Sequence, residues 1–367
     1  MSLLSEGRFF LPGPTEVHVD VLAAQAQPMI GHRGGAIRTL MERLQTGLKD
    51  VFRTERPVIV SSSSATGLME AAVRNGAQQR VLSLVNGAFS ARFAEIAEAC
   101  GLAVDRFEVP WGAAHDPEAV RARVDGGAYE AVTVVHSETS TGVLNPVQAI
   151  AAAIRAASPE ALVLVDGVTS VGGAEVRADD WELDFVLTGS QKALAVPPGL
   201  AFGVASERMM ERSATATRKG VYFDLLEFTK RLETLETPNT PAVSLFYALD
   251  RQLERIAAET LEARWQRHQT MRDQTVAWVA RLAAEGIGVS VLAPEGYRSP
   301  TVTCVALPNG MEGPAVVTGM KQKGWVIGGG YGKLKATTIR IGHMGDHTPE
   351  ALDRLLEDLS TVLRGMA

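Results

Sequence analysis

The sequence has very few cysteines and no long apolar run. Cys100 and Cys304 are its only two, they lie far apart, and no CxxC or Cys/His cluster accompanies them. A disulfide scaffold or a structural zinc site is therefore not expected. No run of about 18 uninterrupted apolar residues occurs, so we expect no membrane span. The opening MSLLSEGRFFLPGP lacks the basic start and apolar stretch of a signal peptide, which favours a cytoplasmic protein.

An excess of positive charge is also lacking. Lys and Arg number 36 against 42 for Asp and Glu, a formal net charge of −6, and there is no basic run. Nucleic acid and anionic membranes are therefore not expected as main partners. Hydrophobic residues make up 46% and charged residues 21%, as in an ordinary soluble protein. The 367 residues exceed a usual single domain and predict one large and one smaller domain.

Short apolar runs alternate with helical patterns from about residue 57 onward. The runs are PVIV (57–60), RVLSLV (80–85), AVTVVH (131–136), ALVLVD (161–166), FVLTGS (185–190) and AFGVAS (201–206). This alternation predicts an α/β fold with a mainly parallel sheet that is covered on both faces. Ligands of such sheets bind beyond the carboxyl ends of the strands. Several of the apolar runs are followed there by polar segments, namely SSSSAT, SETS, DGVTS and GSQK.

The pattern changes near residue 250. A long charged helix near 250–265 is followed by short strands (VSVL, TVTCVALP, WVIGGG, TTIRIGH) and a final helix, TPEALDRLLEDLSTVLRGM. These elements predict a smaller α+β C-terminal domain. We place the large domain at 15–250 and the small domain at 251–367, together with residues 1–14.

Lys192 and Asp166 each end a predicted strand. Lys192 lies in LDFVLTGSQKALAVPPG, among small and apolar neighbours, and Asp166 ends ALVLVDG. A lone lysine would usually extend its stem to reach solvent, and capping of the next turn is the alternative for the aspartate. Together they indicate chemistry, because a desolvated lysine becomes a nucleophilic amine. An aspartate facing a pyridinium nitrogen is the usual partner of pyridoxal 5′-phosphate (PLP).

A phosphate-binding turn is the third element that PLP requires. PVIVSSSSATGLMEAAV supplies a strand, a hydroxyl-rich turn with Ser64 and Thr66, and a helix whose N-terminal N–H groups favour an anion. An ordinary serine N-cap is the alternative. The glycine-rich IGGGYGKL (327–334) lacks P-loop spacing and precedes a strand, so it predicts a hairpin connection.

Eight segments occur in the order seen in class V aminotransferases. They are LPGPTEVHVDVL, IGHRGG, SSSSATGLMEAA, NGAFSARF, HSETSTGVLNP, VDGVTSVGG, TGSQKALAVPPGLAF and IRIGHMG. From Leu11 to about Gly345, the chain resembles the alanine/serine–glyoxylate aminotransferase group of fold-type I PLP enzymes. The resemblance implies that fold, PLP as cofactor, and ping-pong transfer of an amino group from a small amino acid, alanine or serine, to a 2-oxo acid such as glyoxylate or pyruvate.

The resemblance also assigns the residues around the cofactor ring. It makes Lys192 the lysine that holds PLP as an imine, and Asp166 the partner of the pyridine nitrogen. Val168 is expected to pack on one ring face and Phe89 to stack on the other, where several relatives have tryptophan. Thr139, in HSETSTG, is expected near the ring oxygen.

The resemblance also assigns residues that bind the cofactor phosphate and the substrate. Gln191 is expected beside the phosphate, and Ser64, Ala65 and Thr66 match the phosphate turn, with Ala65 in place of a glycine common in relatives. Arg340, in TIRIGHMG, matches the arginine that binds the substrate α-carboxylate, for which a bidentate guanidinium suits better than lysine. A surface arginine on an exposed strand is the alternative.

Sites of this family are completed across a homodimer interface. The segment that contacts the neighbouring phosphate corresponds here to LETPNTPAVSLFY, in which Asn239 and Thr240 are equal candidates. His32 and Arg33, in IGHRGG, are expected near the substrate entrance or in a purely structural role.

Three other functions remain open. A 2-aminoethylphosphonate–pyruvate transaminase shares the LPGPT opening. A cysteine desulfurase-like lyase is disfavoured because Gln191, not histidine, precedes Lys192, and because neither cysteine lies in a loop pattern. A non-catalytic protein with a PLP-enzyme fold is disfavoured by the joint presence of Lys192, Asp166 and Arg340.

Overall fold

The computed structural model describes residues 8–366. Its strands are β1 (Phe9–Phe10), β2 (Val58–Ser61), β3 (Arg80–Val85), β4 (Ala103–Glu108), β5 (Ala131–Val135), β6 (Ser137–Glu138), β7 (Val143–Leu144), β8 (Leu162–Asp166), β9 (Phe185–Gly189), β10 (Ala201–Ala205), β11 (Ser290–Val291), β12 (Val302–Ala306), β13 (Val326–Gly329) and β14 (Thr338–Gly342). Its α-helices are α1 (Val19–Ala24), α2 (Gly35–Phe52), α3 (Ala65–Gly76), α4 (Ala88–Ala99), α5 (Pro117–Asp125), α6 (Val147–Ala157), α7 (Glu207–Thr215), α8 (Leu225–Leu232), α9 (Val243–Glu259), α10 (Leu261–Ala284), α11 (Gly313–Gln322) and α12 (Pro349–Arg364).

Seven strands form the large sheet, in the order β2-β10-β9-β8-β5-β3-β4. Of these seven, β10 alone runs antiparallel to its neighbours, and the other pairs are parallel. Six of the strands match the six apolar runs of the sequence to within one residue at either end. The predicted α/β fold with a mainly parallel sheet is thereby confirmed.

The seventh strand, β4, was missed by the sequence analysis. It is an edge strand that pairs only with β3 within the sheet, and its six residues AVDRFE are half-buried or exposed. Its Asp105 and Arg106 form surface ion pairs with Arg80 and Glu98. The central strands β5, β8 and β9 are buried over their whole length and so read as continuous apolar runs, whereas a charged edge strand gives no such signal.

A second sheet has the order β1-β13-β14-β12-β11. Strands β11 to β14 pair antiparallel, whereas β1, from the other end of the chain, pairs parallel with β13. A separate apolar core packs this sheet against helices α10 to α12 and includes Phe10, Trp278, Ile339 and Leu355. β13 and β14 are antiparallel neighbours, so IGGGYGKL belongs to a hairpin as predicted: residues 327–329 end β13, and the connection after them includes a short 3₁₀ turn at Gly332–Leu334.

The single long helix predicted near 250–265 is wrong. The structure ends α9 at Glu259 and starts α10 at Leu261, with Thr260 between them at φ 70°. The Thr260 side chain accepts a hydrogen bond from Ala263 N and so caps α10, a role that competes with a continuous helix. A β-branched residue in this left-handed region is unusual and implies local strain that the surrounding packing holds.

Membrane insertion through a helix finds no support in the part of the chain that the structure describes. Across residues 8–366, no helix combines the length and the apolar character needed to cross a bilayer.

Candidate active site

Four parallel strands end at one edge of the large sheet and gather the predicted residues. Asp166 ends β8 and Lys192 lies in the turn after β9, whereas Phe89 lies at the start of α4, which follows β3, and Thr139 lies just after β6, which follows β5. Arg340 reaches the same place from β14, since its Nη1 donates to the Thr139 carbonyl oxygen at 3.3 Å. Lys192 Nζ lies 5.7 Å from the Phe89 ring centroid. The structure thus brings these five residues together.

Lys192 is buried and its amine is easier to deprotonate than usual. Burial and the positive charge of Arg340 lower its pKa from 10.5 to about 8, against the opposing charge of Asp166. Nζ donates a hydrogen bond of 2.5 Å to the Pro12 carbonyl oxygen. Gly13 has φ +113° and a Cβ there would lie 2.4 Å from Nζ, so this close approach requires glycine. The sequence analysis did not assign the Pro12–Gly13 backbone to the lysine.

Asp166 is a buried carboxyl at the end of β8. Burial raises its pKa from 3.8 to about 7, the Val168 N–H opposes this by donating to Oδ1 at 2.8 Å, and the charge of Glu138 raises it further. A cation placed against Asp166 would favour its ionised form. Val168 is half-buried, packs on the main core and accepts a hydrogen bond from Thr188 Oγ1 at 3.2 Å.

Thr139 is buried and shares a hydrogen bond with a residue that the sequence analysis did not single out. The Oγ1 atoms of Thr139 and Thr169 are 2.5 Å apart. Thr169 lies three residues after Asp166, in the DGVTS segment already noted at a strand end. The pair therefore joins the connections that follow β5 and β8.

Glu138 is the main site residue that sequence reasoning missed. Its carboxylate is fully buried and accepts from Ser90 N and Ser90 Oγ at 2.9 Å each and from Ser140 Oγ at 2.6 Å. It also accepts from Phe89 N at 3.1 Å, and so it binds the N-terminus of α4. A Cβ at Gly87 would lie 2.3 Å from Glu138 Cγ, so only glycine permits this packing. An acidic residue beside a buried strand, in HSETSTG, was the available signal.

Arg340 is buried between backbone carbonyls and an aromatic ring. Its Nε donates to the Gly329 carbonyl oxygen at 2.8 Å, and its Cζ lies 5.4 Å from the Tyr331 ring centroid. Tyr331 in turn stacks on Phe89 with centroids 5.3 Å apart, and Arg92 Nη2 donates to the Tyr331 hydroxyl at 3.4 Å. Burial lowers the pKa of Arg340 from its ordinary value. The alternative of an exposed surface arginine is therefore wrong.

The predicted phosphate turn lies between β2 and α3. Ser64 is the N-cap residue of α3, but its side chain makes no capping hydrogen bond, and in the first turn Gly67 N donates to the Ser64 carbonyl oxygen at 2.9 Å. Ser64 and Thr66 are exposed, whereas Ala65 is buried. A Cβ added at Gly189 would lie 2.8 Å from Gln191 Oε1 and 3.3 Å from Ala65 Cβ, so Gln191 borders this turn.

The remaining four candidates lie in surface segments that contact one another. Asn239 and Thr240 are exposed, His32 is half-buried and Arg33 is exposed. Arg33 Nε is 3.4 Å from Glu236 Oε2, three residues before Asn239. The structure thus joins Arg33 to the segment that contains Asn239, and not to Arg340. The roles given to these four residues stay predictions.

The residues present fit PLP. Lys192 offers a desolvated amine, Asp166 a buried carboxyl, and α3 an N-terminus that its N-cap side chain does not cap, beside hydroxyl groups. An imine linkage, a pyridinium nitrogen and a phosphate require these three groups in turn.

Comparisons with known proteins agree with this fit. Residues 17–343 match the model of the Aminotransferase class-V family. The chain is 39% identical to the "Soluble hydrogenase, small subunit" of Synechococcus sp., over 91% of this chain and 87% of that one. Among solved structures, an aspartate aminotransferase of subgroup IV from Thermus thermophilus has a TM-score of 0.89 at 34% identity, covering 98% of this chain and 100% of that chain. An alanine–glyoxylate aminotransferase from Nostoc sp. has a TM-score of 0.90 at 32% identity, covering 99% and 97%. The chain belongs to the class V aminotransferase family and is a PLP-dependent aminotransferase of fold type I.

Proposed function

We propose that this enzyme moves an amino group from a small amino acid, alanine or serine, to a 2-oxo acid such as glyoxylate or pyruvate, by a ping-pong mechanism. The observation that carries the proposal is the buried Lys192 amine, with Asp166 and Arg340 close enough to act on its pKa in opposite directions. The name of the Nostoc relative, alanine–glyoxylate aminotransferase, supports both the donor and the acceptor.

Each of the three residues has a distinct task. Bound PLP supplies a ring that accepts the electrons left when the α-proton of the substrate departs. Lys192, with a pKa of about 8, would take that proton from Cα as a neutral amine and, as an ammonium, would donate it on the cofactor side of the imine. Asp166 keeps a proton on the ring nitrogen by placing a carboxylate against it.

Arg340 orients the substrate. Its guanidinium lies in a buried position where a carboxylate would form charge-assisted hydrogen bonds with little competition from water. Donor and acceptor both carry such a carboxylate, so one arginine serves both halves of a ping-pong exchange. The α-proton of the donor is thereby held at a fixed place relative to the Lys192 amine.

Absorption spectroscopy of the PLP-loaded protein tests this function directly. L-alanine, L-serine, L-aspartate and 2-aminoethylphosphonate would be added separately, and the spectrum and the oxo product recorded. We expect alanine or serine to convert the cofactor to its amine form with stoichiometric oxo acid, and glyoxylate to reverse the change. Conversion by 2-aminoethylphosphonate alone would contradict the proposal in favour of the phosphonate transaminase, and conversion by none would contradict alanine and serine as donors.

Neither cysteine suits the desulfurase alternative. Burial in β12 raises the pKa of Cys304 to about 11, and the side chain is fully buried. Cys100 follows the last residue of α4, and burial raises its pKa as well. A thiol that attacks sulfur must ionise readily and reach the substrate, and these two environments favour the protonated thiol.

We also propose that two copies of the chain form the complete site. Val221 is 92% exposed, and the adjacent Tyr222 donates its hydroxyl proton to the Ser62 carbonyl oxygen at 3.2 Å. Exposed apolar side chains thus adjoin the phosphate turn, where a partner surface would bury them. The exposed Asn239 and Thr240 would then face the neighbouring copy.

The mass of the native protein in solution tests the dimer. Sedimentation equilibrium is expected to give twice the chain mass of 39.2 kDa. Val221→Glu should shift the equilibrium toward single chains, because it places a charge in the buried part of the interface. Met366→Glu, at an exposed apolar residue near the C-terminus, is the control and should stay dimeric. A native mass of one chain would contradict the proposal.

A further inference from the structure

Arg264, on α10, is a fully buried arginine outside the residues assigned above. Its side chain is 1% exposed, and all three nitrogens of the guanidinium are used. Nε donates to the Gly172 carbonyl oxygen at 3.2 Å and Nη2 to the Ala193 carbonyl oxygen at 2.8 Å. Nη1 donates to Asp346 Oδ1 at 2.8 Å and to Glu259 Oε2 at 3.1 Å. One cation therefore connects four separate parts of the chain.

Three of these acceptors belong to segments that carry active-site groups. Ala193 directly follows Lys192, and Gly172 lies six residues after Asp166. Asp346 lies in the 343–348 loop, which follows β14, the strand of Arg340. Arg264 is thus attached to the Lys192 and Asp166 segments on one side and to the Arg340 segment on the other.

The ion pair with Arg264 opposes the effect of burial on the pKa of Asp346. Burial tends to raise the pKa of Asp346, but the charge and hydrogen bond of Arg264, with a hydrogen bond of 3.0 Å from Gln252 Nε2, hold it below its ordinary value. A buried ion pair with several hydrogen bonds has one preferred geometry, unlike a solvated pair.

Direct packing connects the same two sides. Met344 forms a small buried apolar cluster with Ala193 and Val302. Thr15 donates its N–H to the Gln191 carbonyl oxygen at 2.9 Å and its hydroxyl to the Met344 carbonyl oxygen at 3.3 Å. The 343–348 loop is therefore held against the turn that presents Lys192.

We infer that Arg264 and Asp346 are positioning residues that set the distance between the Lys192 amine and the Arg340 guanidinium. They touch neither the substrate nor the cofactor. Their effect is on where the substrate carboxylate lies relative to the amine, and a small misplacement of this kind costs a large factor in rate. The inference rests on the proposed role of Arg340 as the carboxylate-binding residue.

Two small probes separate the carboxylate contribution from the chemistry at the cofactor. Aminooxyacetate and methoxyamine both form oximes with enzyme-bound PLP, but only the first carries a carboxylate. The ratio of their second-order rate constants, followed by absorbance, reports carboxylate binding without turnover. The variants are Arg264→Lys and Asp346→Asn, with Arg340→Gln as the reference for a lost site. Asp250→Asn is the matched control, because Arg43 and Asp250 form a bidentate but more exposed pair.

We expect the native enzyme to favour aminooxyacetate, and Arg340→Gln to abolish the preference. Arg264→Lys and Asp346→Asn should lower the ratio about tenfold with the methoxyamine rate unchanged, and Asp250→Asn should not lower it. Amides of β14 and the 343–348 loop should exchange hydrogen faster in Asp346→Asn than in Asp250→Asn.

The outcomes distinguish a failure of the positioning role of Arg264 and Asp346 from a failure of the carboxylate-binding role of Arg340. An unchanged ratio in both variants, with the preference lost in Arg340→Gln, would overturn the positioning role and leave the proposed function intact. An equal fall for both probes would also overturn it, because the effect would then lie at the cofactor. A native enzyme without any preference would remove the carboxylate role of Arg340, and the positioning role with it. If Arg264→Lys fails to fold, Asp346→Asn decides, because it leaves the bonds of Arg264 to Gly172, Ala193 and Glu259 in place.

Discussion

Lys192→Ala is expected to lower kcat by up to about 10⁴-fold while the protein still binds PLP without a covalent link. General acid–base catalysis by a positioned group contributes up to about this factor, and Lys192 is the buried amine placed to supply it. The fold should survive, because the change removes a desolvated amine whose hydrogen bond is to the Pro12 carbonyl oxygen. We expect the free energy of unfolding to change by no more than about 2 kcal/mol. Stopped-flow absorbance with saturating donor measures the loss.

Two controls separate chemistry from packing in this experiment. Lys192→Met keeps the volume of the stem and should be as inactive as Lys192→Ala. A small primary amine added to Lys192→Ala should restore part of the rate, because it can enter the space left by the side chain and move the proton. Normal turnover by Lys192→Ala would remove the assignment on which the mechanism depends.

Arg340→Gln is expected to lower kcat/KM for carboxylate-bearing donors by about 10²-fold, since a bidentate charge-assisted contact contributes roughly 3 kcal/mol. PLP binding should be retained. The positive charge of Arg340 is the second largest cause of the lowered Lys192 pKa, so its removal should raise that pKa above about 8. The acidic limb of the pH–rate profile should then move to higher pH, because a more basic lysine is still protonated where the native one is free. Steady-state kinetics across pH measures both effects.

Arg92→Gln is the control for this variant. Arg92 is an exposed arginine that contacts Tyr331, the residue whose ring also lies beside Arg340. Its Nη2 donates to the Tyr331 hydroxyl. It should change kcat/KM by less than about threefold, because an exposed polar contact contributes little. An equal loss in Arg92→Gln and Arg340→Gln would mean that general positive charge, and not the buried guanidinium, binds the carboxylate.

The parts of the fold that could be predicted are those whose sequence signal is local. The buried strands of the large sheet read as continuous apolar runs, because both faces are covered. The helix break at Thr260 was not predicted, since the apolar periodicity continues on both sides and the cap depends on a single hydroxyl. Strand β1 was missed because Phe9 and Phe10 pair with a strand far away in the sequence.

The active site likewise contains residues that the sequence reveals and residues whose role depends on the folded chain. Lys192, Asp166 and Arg340 are recognisable from residue type and motif, and the structure brings them together. Glu138 lies inside a quoted motif, but its function as the buried acceptor for the start of α4 depends on contacts with Phe89 and Ser90, which only the folded chain creates. Backbone groups such as the Pro12 carbonyl oxygen have no signal in the sequence at all.

The pairing of β1 with β13 determines when the active site can be completed during synthesis of the chain. Phe9 pairs with Val326, which is synthesised roughly 300 residues later. At about 5–20 residues per second, this is a delay of roughly 15 to 60 s. Through that interval the segment leading to Pro12 has no sheet to join, and the Lys192 amine lacks the carbonyl that covers it. Until β13 has been made, the nascent chain therefore exposes the apolar Phe9–Phe10 segment, which chaperones can bind, and the active site is completed only after that strand is available.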